Sequence, residues 1–359
     1  MERRTRYPVI RWRRWVQVGF FTVVVAMGVQ FTVWAYAHMR GAAPAVPRPA
    51  GVEGFLPISA LMSLRLWAVG EGIHPVHPAG LAILVAVLVM SAVVAKSFCS
   101  MVCPVGALSE WLGRTGRWLL GRTWEIPRWL DVPLRSLKYL LLLFFAWAVL
   151  VAMEVAALKA FLDAPYNRVA DAKMLMFFAD PSRTTVAVLG VLVVGSVLVR
   201  DLWCRYLCPY GALVGILGRL APFKIVRNPD TCTDCKACTR VCPARLPVHR
   251  LGRVTSVECT SCQDCVAACP VSGCLSVQPP RWTPGRVVLG PVAAVALAVG
   301  LYLGITGAFR AAGQWRGNVD EAEFAWRLQE LDHPVYNHAG GRAPAESRQA
   351  PPSEFHERR

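Results

Sequence analysis

"CTDCKACTRVCP" at residues 232–243 and "CTSCQDCVAACP" at 259–270 each spell C-x2-C-x2-C-x3-C-P without deviation. That run holds paired [4Fe–4S] clusters in bacterial ferredoxins. Three thiolates two residues apart wrap one corner of a cubane from a tight loop, and the fourth opens onto the other cluster, so the ligands cross over. One cluster is assigned to Cys232, Cys235, Cys238 and Cys269, the other to Cys259, Cys262, Cys265 and Cys242. Pro243 and Pro270 turn the chain away after each crossover ligand. C-x2-C pairs also bind zinc, but two complete four-cysteine runs favour iron and sulfide. Cys274, left over in "PVSGC", reads as a small buried residue beside a cluster.

The rest of the chain places this module at a membrane. Of 359 residues, 55% are hydrophobic and only 17% charged, and the mean hydropathy is +0.39, too apolar for an ordinary soluble domain. Five stretches approach the ~20 apolar residues that cross a bilayer: about 15–37, 79–95, 137–160, 184–200 and 286–309. Basic residues crowd the start (Arg3, Arg4, Arg6, Arg11, Arg13, Arg14) and the loop 96–138 (Lys96, Arg114, Arg117, Arg122, Arg128, Arg135, Lys138). The positive-inside rule then puts the N-terminus, that loop and residues 200–285 in the cytoplasm of a bacterial inner membrane, with the C-terminus in the periplasm. The same rule accounts for the net charge of +16 without nucleic acid, and no nucleic-acid partner is expected. "AYA" at 35–37 resembles a signal-peptidase site, but the apolar run before it is longer than a usual signal segment.

All thirteen cysteines fall between 99 and 274, on the side expected to be reducing, so metal is a better default for them than disulfides. Shifting the chain by 105 residues lays "FCSMVCPVGALSEWLGR" (98–114) over "WCRYLCPYGALVGILGR" (203–219), an internal repeat built on C-x3-C-P. Residues four apart share a helix face, so Cys99 with Cys103, and Cys204 with Cys208, are expected to present sulfurs in pairs. The proline suits the first turn of a new helix. Three readings stand for these four cysteines: two dithiol/disulfide pairs, a further metal or iron–sulfur centre, or free thiols packing helices.

Two C-x3-C-P motifs at membrane-segment ends, then a two-cluster ferredoxin module and a closing helix, resemble the NapH/NosR-type membrane polyferredoxins. The resemblance implies an inner-membrane protein passing electrons between the quinone pool and a redox partner protein. This chain lacks the periplasmic flavin-bearing domain of NosR-like members and the large domain after the last helix found in the copper-reducing branch, which puts those activities in doubt.

The expected architecture is a membrane all-α fold of about five transmembrane helices with an inserted α+β dicluster ferredoxin-like domain. Its parts are a basic N-terminus (1–14), a membrane domain of four helices (15–220), the ferredoxin domain (221–283), a fifth helix (284–309) and a polar tail (310–359) with a short helix near 319–331. The expected function is electron transfer through two [4Fe–4S] clusters. A metal (copper) reductase or metallocentre-assembly factor, and a redox-sensing or scaffolding subunit, are the alternatives. Glu154, late in the third span, is a candidate for proton uptake at quinol oxidation or a snorkelling carboxylate. His74 and His77 read as loop residues before quinol or haem contacts. No catalytic triad, phosphate loop or nucleotide fingerprint is visible.

Overall fold

The computed structural model describes residues 8–121, 124–279 and 291–336. The arginines at positions 3, 4, 6 and 122, the linker 280–290 and the tail beyond 336 lie outside the described residues. The order of helices is α1 (Pro8–Met39), α2 (Pro57–Ala68), α3 (Pro78–Val94), α4 (Ser97–Met101), α5 (Pro104–Leu120), α6 (Arg128–Trp147), α7 (Val155–Leu162) and α8 (Pro165–Arg168). There follow α9 (Ala170–Ala179), α10 (Arg183–Leu198), α11 (Pro209–Gly218), strand β1 (Lys224–Arg227), α12 (Ala237–Val241), α13 (Asp264–Ala267), strand β2 (Leu275–Gln278), α14 (Pro291–Ala311) and α15 (Glu321–Gln329).

Among the described residues three helices are long and apolar enough to cross a membrane, Trp12–Met39, Arg128–Ala152 and Val292–Ala311, and α9 with α10, bent by 77°, makes a fourth if counted as one span. Helix α3, at 17 residues, covers about 25 Å at 1.5 Å per residue, short of a ~30 Å hydrocarbon core. The third span lies earlier than its hydropathy suggests. Its helix starts at Arg128, contains Pro133, widens into a π turn over Ala148–Ala152, and breaks at Met153 and Glu154, which are extended. Pro133, the sixth residue of this helix, removes one i→i−4 hydrogen bond, the one to the Trp129 carbonyl.

The chain divides into two compact units. The first comprises residues up to Ala26, Ile83–Ala146 and Thr184–Ala308. Its helical part packs Val87, Met90 and Val94 of α3 against Val214 of α11 and Val295 and Ala298 of α14. Its ferredoxin part is closed by the antiparallel pair β1 and β2, in register Lys224↔Gln278 to Arg227↔Leu275, which ties the two ends of the cysteine-rich segment together. Ile225, Val248, Val254 and Val277 form the core between the loops, each contributing roughly 2 kcal/mol by burial.

The second unit comprises Met27–Ala82, Trp147–Arg183 and the residues from Phe309 on. Phe31 and Trp34 of α1 pack on Phe324 and Leu328 of α15, the short helix expected near 319–331. Met62 and Leu66 of α2 pack on Leu158 and Leu162 of α7. A buried polar network sits here: Arg48 pairs with Asp171 at 2.6 Å and Glu53 at 3.3 Å, and Glu53 accepts the N–H groups of Ala79 and Gly80 at the start of α3.

Candidate iron–sulfur site

The two cysteine runs fold alike. In the first, Asp234 and Lys236 take positive φ (49° and 59°); in the second, Ser261 and Gln263, at the same offsets from the first cysteine, do so too (52° and 61°). Alternating left-handed residues turn successive backbone N–H groups to the inside of a loop, which suits a negatively charged guest. Helices α12 and α13 start directly after these loops, with Lys236 and Gln263 as their left-handed N-caps.

The thiols line two cavities. Cys232, Cys235, Cys238 and Cys269 line one cavity, together with Cys274. Cys242, Cys259, Cys262 and Cys265 line another, with Ile225, Val248 and Val254 supplying apolar wall. Among the described residues no three His, Cys, Asp or Glu side chains close on a point as a single metal ion requires. Thiols spaced around an apolar hollow fit a multi-iron cluster instead. Cys274 is 3% exposed and its thiol donates to the Asn228 carbonyl at 3.7 Å, as expected of a small residue at the cavity edge.

Burial sets the protonation of these thiols. It pushes Cys259 up to about 11 despite the Ser261 N–H, and pushes Cys262 and Cys265 well above the usual range, Asp264 adding to the effect at Cys262. Cys232, at the surface, moves the other way, because the Asp234 N–H and the Arg227 guanidinium stabilise its thiolate. Burial thus favours the protonated thiols, and a cationic iron core bound here would supply the charge that stabilises them as thiolates.

The repeat cysteines are arranged differently from the sequence expectation. Cys99 lies in α4 and Cys204 in a π turn over Trp203–Leu207, whereas Cys103 and Cys208 are extended N-cap residues of α5 and α11, not the next turn of the same helix. The proline causes this: Pro104 and Pro209 disfavour helical backbone at the residue before them. Each N-cap thiol accepts a backbone N–H, Cys103 from Gly106 at 3.5 Å and Cys208 from Gly211 at 3.2 Å. A Cβ on Gly106 would stand 2.1 Å from the Cys99 carbonyl oxygen, so only glycine lets this loop close. The four thiols nevertheless come together, lining one cavity.

Other residues near these thiols are not evident from motif reading. Arg13, 1% exposed, donates to the Ser100 carbonyl at 3.0 Å and to both carboxylate oxygens of Glu110, and lies 3.5 Å from Asp264 between Cys262 and Cys265. The basic run that carries it signals orientation in the sequence; its partners are 87 to 251 residues away. Glu154 is exposed and Lys159 pairs with Glu71 at 2.6 Å. His74 lies 3.4 Å from Asp163, and His77 is buried between Glu53 and the Asn167 carbonyl, as ordered loop residues.

Comparison with known proteins agrees with this geometry. A family described as "4Fe-4S binding domain" matches residues 76–127 and 184–228, the two C-x3-C-P repeats, and one described as "4Fe-4S dicluster domain" matches 224–270. The chain is 41% identical over 313 residues to "Putative electron transport protein YccM" of Escherichia coli (strain K12), covering 86% of this chain and 87% of that one. It is 30% identical over 162 residues to "Regulatory protein NosR" of Stutzerimonas stutzeri, covering 45% of this chain and 21% of that one. It is 28% identical over 247 residues to "Methylamine utilization ferredoxin-type protein MauN" of Methylorubrum extorquens, covering 65% of this chain and 76% of that one. No solved structure matches. With its paired four-thiol hollows and full-length likeness, the chain belongs to the NapH/NosR-type ferredoxin family.

Proposed function

We propose that this protein passes single electrons between the quinone pool and a redox partner protein through two [4Fe–4S] clusters. One is held by Cys232, Cys235, Cys238 and Cys269, the other by Cys242, Cys259, Cys262 and Cys265. The observation that carries the reading is the pair of cavities, each lined by three thiols of one run and the fourth of the other. A cluster, when bound, stores one electron over several irons and so splits a two-electron donor into single steps. The chain's own residues do the rest. The left-handed loops aim N–H groups at the guest, Ile225, Val248 and Val254 exclude water, and Arg227 sets the charge beside Cys232. In this reading the chain crosses the bacterial inner membrane five times, α3 and the bent α9–α10 pair completing the count. The basic N-terminus and the ferredoxin domain, 221–283, are cytoplasmic, and the tail from 310 is periplasmic.

Quinol added to anaerobic membrane vesicles should bleach the visible absorbance of the clusters, and the Cys238→Ser/Cys265→Ser protein should lose that response. Purified protein holding zinc or no metal would overturn the proposal.

A further inference from the structure

Away from every cysteine, the turn that leaves α11 and the strand β1 wall a further hollow that carries Arg219, Lys224, Arg227 and Arg253. It shares only Arg227 with the thiol-lined cavities, and that guanidinium is engaged with the Cys232 thiol. The other three cations have no acid to answer them. Among the described residues no carboxylate lies within ion-pair distance of Arg219, Lys224 or Arg253, and Asp230, the one acidic residue of the wall, pairs with none of them.

Lys224 is only 6% exposed and donates to the Arg219 carbonyl, while Arg253 donates to the Pro222 carbonyl at 2.5 Å. These bonds hold both cations at the wall. Burial, and then the charges of Arg253 and Arg219, keep the Lys224 ammonium below the ordinary lysine range. Like charges gathered without a counter-ion repel, and an anion in the hollow removes that cost. The positive-inside bias accounts for cations in open loops but not for a buried one.

The position of the hollow selects the anion. It begins where α11 ends, and Val214 of α11 packs with Val87 of α3 and Val295 of α14, helices read above as membrane segments. Leu220, in the same wall, is 75% exposed, and Ile216, one turn earlier, is 46% exposed. A cationic hollow with an apolar flank suits an amphiphile better than a free ion.

We propose that this hollow binds the phosphodiester headgroup of an anionic phospholipid through Arg219, Lys224 and Arg253, with the acyl chains along Ile216 and Leu220. A basic pocket beside membrane helices is a known form of lipid-headgroup site. The bound lipid would tie β1, the first element of the ferredoxin part, to the membrane surface. The assignment rests on the membrane reading above and not on the clusters.

The test is native mass spectrometry of the full protein in a neutral detergent, titrated with phosphatidylglycerol, phosphatidylcholine or inorganic phosphate. The wild type should retain one phosphatidylglycerol at least about tenfold more tightly than phosphatidylcholine. Arg219 is exposed, so Arg219→Glu disturbs no packing, and it should weaken phosphatidylglycerol by at least about tenfold and leave phosphatidylcholine unchanged. Lys224→Met, which removes the buried charge, should do the same. Equal retention of the two lipids, or phosphatidylglycerol bound by Arg219→Glu as by the wild type, would overturn the site. Inorganic phosphate displacing the lipid would make the free anion the ligand and overturn the lipid assignment. Iron content decides the cluster reading and should be the same in all three proteins, so the two proposals fail separately. A protein that stays soluble without detergent would overturn the membrane reading and this site with it.

Discussion

Lys138 Nζ lies 2.8 and 2.7 Å from the two carboxylate oxygens of Glu258, the residue immediately before Cys259. Lys138 is fully buried, and Tyr139 completes the site by donating its hydroxyl to Glu258 at 3.0 Å. The pair fastens a membrane-segment helix, α6, to the loop that carries the second cysteine run. A buried ion pair adds little beyond what well-packed apolar groups would supply, but leaving one member alone is expensive.

Lys138→Met should therefore destabilise the protein by about 3–5 kcal/mol, because Glu258 keeps its burial and loses its partner. The double substitution Lys138→Met/Glu258→Met should recover most of that loss. Thermal unfolding of the four proteins of this cycle in detergent measures the coupling; a double variant as unstable as the sum of the singles would show that the two residues act independently.

Glu110 provides a pH dependence. Burial alone would raise its carboxyl, but the paired hydrogen bonds from Arg13, with help from Gln17 and Arg114, win and hold it at about 2 against an ordinary 4.5. A depressed carboxyl contributes stability that is fully present above its unfolded value and is lost as the pH falls from about 4.5 to about 2. At neutral pH the contribution is on the order of 3 kcal/mol. Glu110→Gln should lower the melting temperature at pH 7 and flatten the acid limb of the stability profile; an unchanged acid limb would contradict the assignment.

Gly116 is where α5 meets α10. A Cβ there would stand 1.9 Å from the Val197 carbonyl oxygen, and the atom in the way is backbone, which cannot rotate aside. Gly116→Ala should cost roughly 2 kcal/mol or more despite alanine's better helix propensity. Gly304→Ala in α14, with nothing within 4 Å of the added carbon, is the control and should be neutral or slightly stabilising. Melting temperatures of the two variants decide it.

The cysteine runs were legible because their chemistry is local: spacing sets which sulfurs share a loop, and the two cavities collect the expected sets. Local rules also misled where two of them competed. An i, i+4 spacing puts Cys99 and Cys103 on one helix face, but Pro104 forces Cys103 out of the helix, and the four thiols of both repeats line one cavity. Hydropathy set the third span at 137–160, since it cannot register that a helix starts among the polar residues at Arg128 or that the backbone breaks at Met153. Arg13, Lys96 and Lys138 all read as orientation signals. Their burial depends on partners far away in the sequence, such as Glu110 and Glu258, and no pattern along the chain reports it.

Cys235 is exposed, whereas Cys265 is buried and its companions Cys242, Cys259 and Cys262 are only partly open. The two halves of a nearly symmetric module are thus insulated unequally. Charge hops between centres with a probability that drops steeply with separation, so a freely diffusing protein can trade electrons with the half that reaches the surface, and the shielded half communicates through its neighbours within the fold. In the two-cluster reading proposed above, such one-sided insulation would give the path a terminal and keep stray oxidants from short-circuiting it midway.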